Sequence, residues 1–182
     1  TMKLIELHIL QSFPVSCLNR DDVGSPKSAQ FGGVRRARIS SQCLKRASRR
    51  LAHENHPEGF AGIRSRHLLE PFQTALIQAG LEEDTAKTKS EELCSLFSKT
   101  DSKDPKQVTT AVYLSPNEIQ QITAAVAKGE DAKKAIKSAT RNDAADIALF
   151  GRMIANDPNL NIEGAAMFSH ALSTHSADNE ID

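Results

Sequence analysis

The order of apolar and polar residues predicts strands towards the two ends of the chain and helices through its middle. "KLIELHIL", residues 3–10, alternates in part and is rich in Leu and Ile, which reads as a strand buried on at least one face. Residues 11–39 show no sustained period and carry Pro14, Gly24, Pro26, Gly32 and Gly33. They read as a long polar loop, a length that is usually functional in a compact domain, with a short extended piece, "VRRARI", at 34–39. "SSQCLKRASRRLAH" predicts a helix over 41–53, with Ser40 or Ser41 as its cap. At helical spacing Leu44, Ala47, Ser48 and Leu51 form an inner stripe, and Gln42, Lys45, Arg46 and Arg49 an outer one.

Beyond a Gly/Pro loop at 54–62, the pattern suggests one or two helices near 63–79, with Pro71 marking a break or a first turn. It continues helical over 82–98. "VTTAVYL", 108–114, is rich in β-formers and reads as a strand. A helix follows with Ser115 as N-cap and Pro116 at its first position, ending at Gly129, and then a shorter helix in "DAKKAIKSAT". "ADIALFGRM" reads as a strand with helix left open, "NDPNLN" as a turn, and residues 163–175 as either strand or helix. There is no internal repeat.

Composition narrows the class. The 182 residues, 39% apolar and 25% charged, suit one ordinary soluble domain or a domain with an appendage. No apolar run approaches the roughly 18 residues that span a bilayer, so no membrane partner is expected. Cys17, Cys43 and Cys94 are odd in number and form no CxxC pair, as expected of thiols in a reducing cytoplasm.

Charge is the informative quantity. The chain has 23 basic and 23 acidic residues. Between Val23 and His53, however, stand Lys27, Arg35, Arg36, Arg38, Lys45, Arg46, Arg49 and Arg50 with no acid among them, leaving a remainder of 15 basic against 23 acidic residues. Such segregation points to a bound polyanion; the alternative is a solvated basic helix partnered by acids elsewhere. A phosphate backbone needs bases supported by neutral donors, and Asn19, Ser40, Ser41 and Gln42 lie among them, beside a helix start whose N–H groups favour anions. "KLIELHIL" offers no aromatic platform for stacked bases, so recognition is expected to be of the backbone.

Other chemistry is weaker. Asp21 and Asp22 beside Arg20 form a metal-ligand candidate, but an Asx turn or a salt bridge is the better expectation for neighbours in a loop. His53 and His56, and His170 and His175, lack zinc spacing, and neither a nucleophile elbow nor a Walker loop is present. No cofactor or metal is expected.

Three stretches carry a family resemblance: "CLNRDDVGSPKSAQFGGVRRARISSQCLKRASRR", "DIALFGRMIA" and "SHALSTHSADNEID". Together they resemble the repeated backbone subunit of the type I-E CRISPR Cascade complex, the CasC family. The likeness runs from Met2 to Asp182 and is weaker in motif over 54–140. Family members run to about twice this length, so the resemblance implies an N-terminal half. It implies an α+β fold: an RRM-like (ferredoxin-like) palm, incomplete in this chain, with a mainly helical fingers insertion. The palm would begin with 1–53, the fingers would occupy 54–140, and 141–182 would return to palm strands before the thumb.

The partners implied are CRISPR RNA, neighbouring copies stacked head to tail, other Cascade subunits, and target DNA through the guide, in the cytoplasm. The RNA-binding positions that match are Asn19, Arg20, Lys27, Arg38, Ser40, Ser41, Gln42, Lys45, Arg46 and Arg49. No enzymatic activity is implied. The rival readings are a metal-dependent ribonuclease using Asp21 or Asp22, as in related type III backbone subunits, and a purely structural docking module.

Overall fold

A computed structural model gives the architecture of residues 3–141 and 143–178. The end of the "SHALSTHSADNEID" motif, 179–182, and Met2 lie outside the described residues. The fold is α+β. In chain order its elements are β1 (Ser28–Phe31), β2 (Val34–Ile39), α1 (Ser41–Asn55), β3 (Ile63–Ser65), α2 (Leu69–Gln78), α3 (Glu83–Phe97), β4 (Val112–Leu114), α4 (Pro116–Ala127), α5 (Ala132–Ser138), α6 (Ala145–Phe150) and β5 (Ala171–Leu172). They divide into two units. The smaller takes the chain up to Leu44 and again from Phe168; the larger is Lys45–Met167.

In the smaller unit β1, β2 and β5 form an antiparallel sheet in the order β1-β2-β5. The β1–β2 hairpin closes with Phe31 opposite Val34, leaving Gly32 and Gly33 as a two-residue turn with φ of +63° and +79°. Both values lie in the left-handed region that glycine enters freely, and this turn twists with its strands. The expectation of one long loop over 11–39 is corrected here: its second half is a hairpin, because Gly-Gly between β-formers is itself a hairpin signal.

Residues 3–10 form no strand. Leu4, Ile5, Leu7, Ile9 and Leu10 are 79–86% exposed. A strand exists only where another segment takes its N–H and C=O groups, and among the described residues none pairs with 3–10.

The larger unit carries the core. Phe72, Leu76, Leu93, Phe97, Leu114, Ile122, Ile147 and Ile154 are fully or almost fully buried. Phe72 and Phe97 stack with ring centroids 5.9 Å apart, pinning α2 to α3. Helices α3, α4 and α5 form where their periodicity predicts them. Ser115 caps α4 through its hydroxyl, which accepts from Glu118 N at 2.9 Å, with Pro116 in the first turn.

Three expectations change. Residues 63–65 are a strand paired with β4, and Pro71 sits in the first turn of α2, where its missing N–H costs nothing. The 108–114 strand shrinks to 112–114. "ADIALF" is a helix rather than a strand; a short apolar run does not distinguish the two, and the Asp146 carboxylate binds backbone N–H of Gly62 and Ile147 at 3.3 and 3.0 Å.

The stripe assignment on α1 is also corrected. Leu51 is 60% exposed, Ala47 and Ser48 are exposed, and the helix fully buries none of its residues. The half-covered positions include Ser41, Leu44, Lys45, Arg49 and Ala52. With only two large apolar side chains in fifteen residues, α1 has no apolar stripe wide enough to dictate which face turns inward.

One interaction in the larger unit involves two charges without solvent contact. The Arg152 guanidinium donates to both Glu118 carboxylate oxygens, at 2.6 and 3.0 Å. It also donates to Tyr113 O and Leu160 O, each at 3.1 Å. Arg152→Leu would leave Glu118 buried and unpaired, and is expected to destabilise the protein by about 3–5 kcal/mol. Adding Glu118→Leu is expected to recover much of that loss. Urea unfolding of the two variants measures it, and a single-variant cost below about 1 kcal/mol would show the pair to be energetically idle.

Candidate nucleic-acid interface

Seven of the ten expected RNA-binding residues belong to the smaller unit, and backbone geometry joins four of them. Lys27 N donates to Asn19 O at 2.8 Å, and Arg38 N donates to Lys27 O at 2.9 Å. The Asn19 side chain accepts from Ser40 N at 2.9 Å. Ser40 is 5% exposed, and its hydroxyl accepts from Cys43 N at 3.3 Å. Of the two serines considered as cap, Ser40 therefore fills the role. Ser41, the first residue of α1, donates its N–H to His170 Nδ1 at 3.1 Å. Asn19, Lys27, Arg38 and Ser40 thus form one continuous hydrogen-bonded junction at the start of the basic helix, and Ser41 follows it in the chain, held by His170.

Arg20 stands outside that junction, as does Gln42, whose Oε1 accepts from the Ser41 hydroxyl at 3.5 Å. The Arg20 guanidinium donates to Gly24 O at 2.6 Å and closes its own turn; Gln42 is exposed. The turn is built on Asp21, whose Oδ1 accepts from Val23 N at 3.0 Å and Ser25 N at 2.8 Å. This is the Asx turn that the "NRDD" stretch suggests.

The basic residues divide by what they already hold. Arg36 donates to three carbonyls: Phe31 O at 3.1 Å, Ser173 O at 2.9 Å and Thr174 O at 2.7 Å. Arg35 donates to the Ser28 hydroxyl at 2.8 Å. Arg38 differs, because its Nε is buried and has no hydrogen-bond partner among the described residues. A buried donor left unpaired is costly, and Arg38 as a whole is only half-buried.

The remaining three residues lie on the part of α1 in the larger unit. Arg46 is exposed, and Lys45 and Arg49 are half-buried. Lys45 takes part in contacts of the fold. The Arg49 guanidinium stands 5.8 Å from the centroid of the Tyr113 ring, within cation–π range.

Sequence reasoning missed His170. Its spacing from His175 suggests no site, and its partner, Ser41, lies 129 positions away. With Nδ1 accepting, the imidazole proton is assigned to Nε2. No periodicity or spacing signals such a pair.

Ser40→Ala removes the cap, and Asn19→Ala removes the acceptor of Ser40 N. Each is expected to cost about 0.5–2 kcal/mol. The two losses are expected to couple, since both act through Ser40, one on its side chain and the other on its N–H. Amide hydrogen exchange at Ser40 and Cys43 reads this directly: exchange at those amides should accelerate selectively in both variants, and unchanged exchange would show that the junction does not hold the helix start.

The family model described as "CT1975-like protein" matches residues 5–182. No curated protein matches the chain. Among solved structures, a chain described as "CRISPR RNA-guided surveillance complex" is similar, with a TM-score of 0.70 and 26% identity, over 91% of this chain and 57% of that one. A second, described as "CRISPR RNA-guided surveillance complex, pre-nicking", has a TM-score of 0.66 and 26% identity over 87% of this chain and 49% of that one. The chain spans about half the length of these structural relatives. The family match covers nearly the whole of this sequence, hairpin, basic helix and helical middle included, and on that match the chain belongs to the CT1975-like protein family.

Proposed function

We infer that the chain is part of a guide-RNA-binding backbone subunit of a type I-E CRISPR Cascade complex, of the CasC kind. It binds CRISPR RNA through the phosphates, stacks head to tail with copies of itself, and presents the guide to target DNA beside other Cascade subunits in the cytoplasm. The smaller unit would contribute to an RRM-like palm and the helical part of the larger unit to the fingers. No helix among the described residues is long and apolar enough to cross a membrane.

The observation that carries this reading is Arg38, a half-buried arginine whose Nε has no partner among the described residues, one hydrogen bond from Lys27 and two residues from the cap Ser40, in a segment free of acids. Phosphate oxygens satisfy guanidinium donors and tolerate any base sequence. The likeness to surveillance-complex chains supplies the polyanion's class.

A metal-dependent ribonuclease using Asp21 or Asp22 is the rival. Asp21 already serves two backbone N–H groups of its own turn, which favours a subunit without catalysis. RNA cleavage that needs a divalent metal and disappears in Asp22→Ala would reverse that preference.

The main test is a salt titration of RNA affinity for Arg38→Ala and Arg46→Ala, on two unrelated single-stranded sequences. Each substitution is expected to weaken both RNAs alike and to make the log–log salt slope shallower by roughly 0.7 per lost contact. A loss confined to one sequence, or an unaltered slope in both variants, would contradict phosphate binding.

A further inference from the structure

Arg49 is held in an unusual way. Among the described residues it forms no ion pair; its neighbour is the Tyr113 ring. Tyr113 is itself fixed. Its hydroxyl donates to Asp146 Oδ2 at 2.7 Å in a buried hydrogen bond. The other Asp146 oxygen accepts from Gly62 N and Ile147 N, so three donors converge on one fully buried side chain, the pattern an acceptor-only carboxylate needs. Burial, and then the bond to Asp146 and its charge, raise the hydroxyl's pKa above its ordinary value, against the opposing charge and side-chain hydrogen bond of Arg49. The phenol is therefore neutral and donating at pH 7.

Gly62 makes the arrangement possible. A Cβ there would lie 2.6 Å from Tyr113 Cε2 and 2.7 Å from Asp146 Oδ1, closer than any side chain tolerates. The loop bearing it is tied just ahead of it: His53 Nδ1 lies 2.7 Å from Phe60 O, and Ala145 N donates to Gly59 O at 2.8 Å.

An arginine can be held by a carboxylate or by an aromatic face. A carboxylate takes up its N–H donors and cancels its charge. A tyrosine restrains the guanidinium by its ring and occupies one donor at most through its hydroxyl, leaving the charge and the remaining donors for another ligand. We propose that Tyr113, anchored by Asp146, is a positioning residue of the RNA-binding face that carries the Arg49 guanidinium ready for a backbone phosphate. This rests on the RNA-binding reading above. Asp146 fixes the ring, the ring restrains Arg49, and Arg49 meets the anion.

Tyr113 is the single tyrosine of the chain, which also lacks Trp, so 3-fluorotyrosine labelling gives one 19F resonance at this position. The full chain is titrated with a single-stranded RNA oligonucleotide, as parent protein and as Arg49→Ala. RNA affinity and its salt dependence are measured for parent, Arg49→Ala, Tyr113→Leu and the double variant.

RNA is expected to shift the 19F signal of the parent and to leave that of Arg49→Ala in place. Tyr113→Leu is expected to weaken RNA binding by the same factor as Arg49→Ala and to flatten the salt slope equally, with no further loss in the double variant. A parent signal that ignores bound RNA overturns the proposal, as do losses that simply multiply in the double variant. Should Tyr113→Leu fail to fold, the 19F titration decides alone. Arg49→Ala flattening the slope while Tyr113 stays silent removes only the positioning role; a parent protein that shows no salt-dependent RNA binding removes the RNA reading with it.

Discussion

The larger unit is arranged around two charges removed from water. Isolated, either member of the Glu118–Arg152 pair would cost several kcal/mol to bury. Both are tolerated because every guanidinium nitrogen finds an acceptor: Leu160 O, Tyr113 O and the two Glu118 oxygens. Burial pushes the Glu118 carboxyl up and Arg152 draws it down, so the two side chains hold each other to one geometry. That geometry ties α4, β4 and the Pro158–Leu160 turn together, and it sets the place of Tyr113. The same residue gives its carbonyl to Arg152 and its hydroxyl to Asp146. A neutral strand residue thus joins two buried polar centres, and its ring is what the basic helix meets at Arg49.

The arginines follow the same economy. Arg36 and Arg152 are consumed by carbonyls and a carboxylate, and they are architectural. Among the described residues, Arg38, Arg46 and Arg49 are not consumed in this way. The number of basic residues along a sequence therefore overstates the guanidinium donors available to a ligand, and the hydrogen-bond partners sort one kind from the other. In the smaller unit the sorting leaves Arg38 two residues from the buried capping serine and bonded through its N–H to the Lys27 carbonyl.

Elements with strong local signals were legible in the sequence. Helix α4 has a serine cap, a proline in its first turn and a glycine after its end, and it forms where those residues put it. Elements decided by distant partners were not. Residues 3–10 alternate well enough for a strand, but alternation does not supply the neighbour that a strand requires. "ADIALF" is too short and too apolar for its period to separate helix from strand, and the buried Asp146 contacts accompany the helical outcome. The periodicity of α1 assigns Leu51 to an inner face, yet it is exposed, because the helix has too few apolar positions to demand one. Within the site, the cluster of bases and the capping serine were visible locally. The roles of Asn19 as an acceptor for Ser40 N and of His170 as an acceptor for Ser41 N were not, since each joins residues far apart in the chain.

Affinity for RNA whose backbone charge has been removed tests the central claim most directly. Binding of one single-stranded sequence is compared as natural RNA, as a charged backbone with abasic positions, and as a neutral methylphosphonate analogue. Phosphate recognition predicts that the abasic strand keeps most of the affinity, and that the neutral analogue loses both the affinity and its salt dependence. A neutral analogue bound as tightly as natural RNA, with the abasic strand released, would contradict the account.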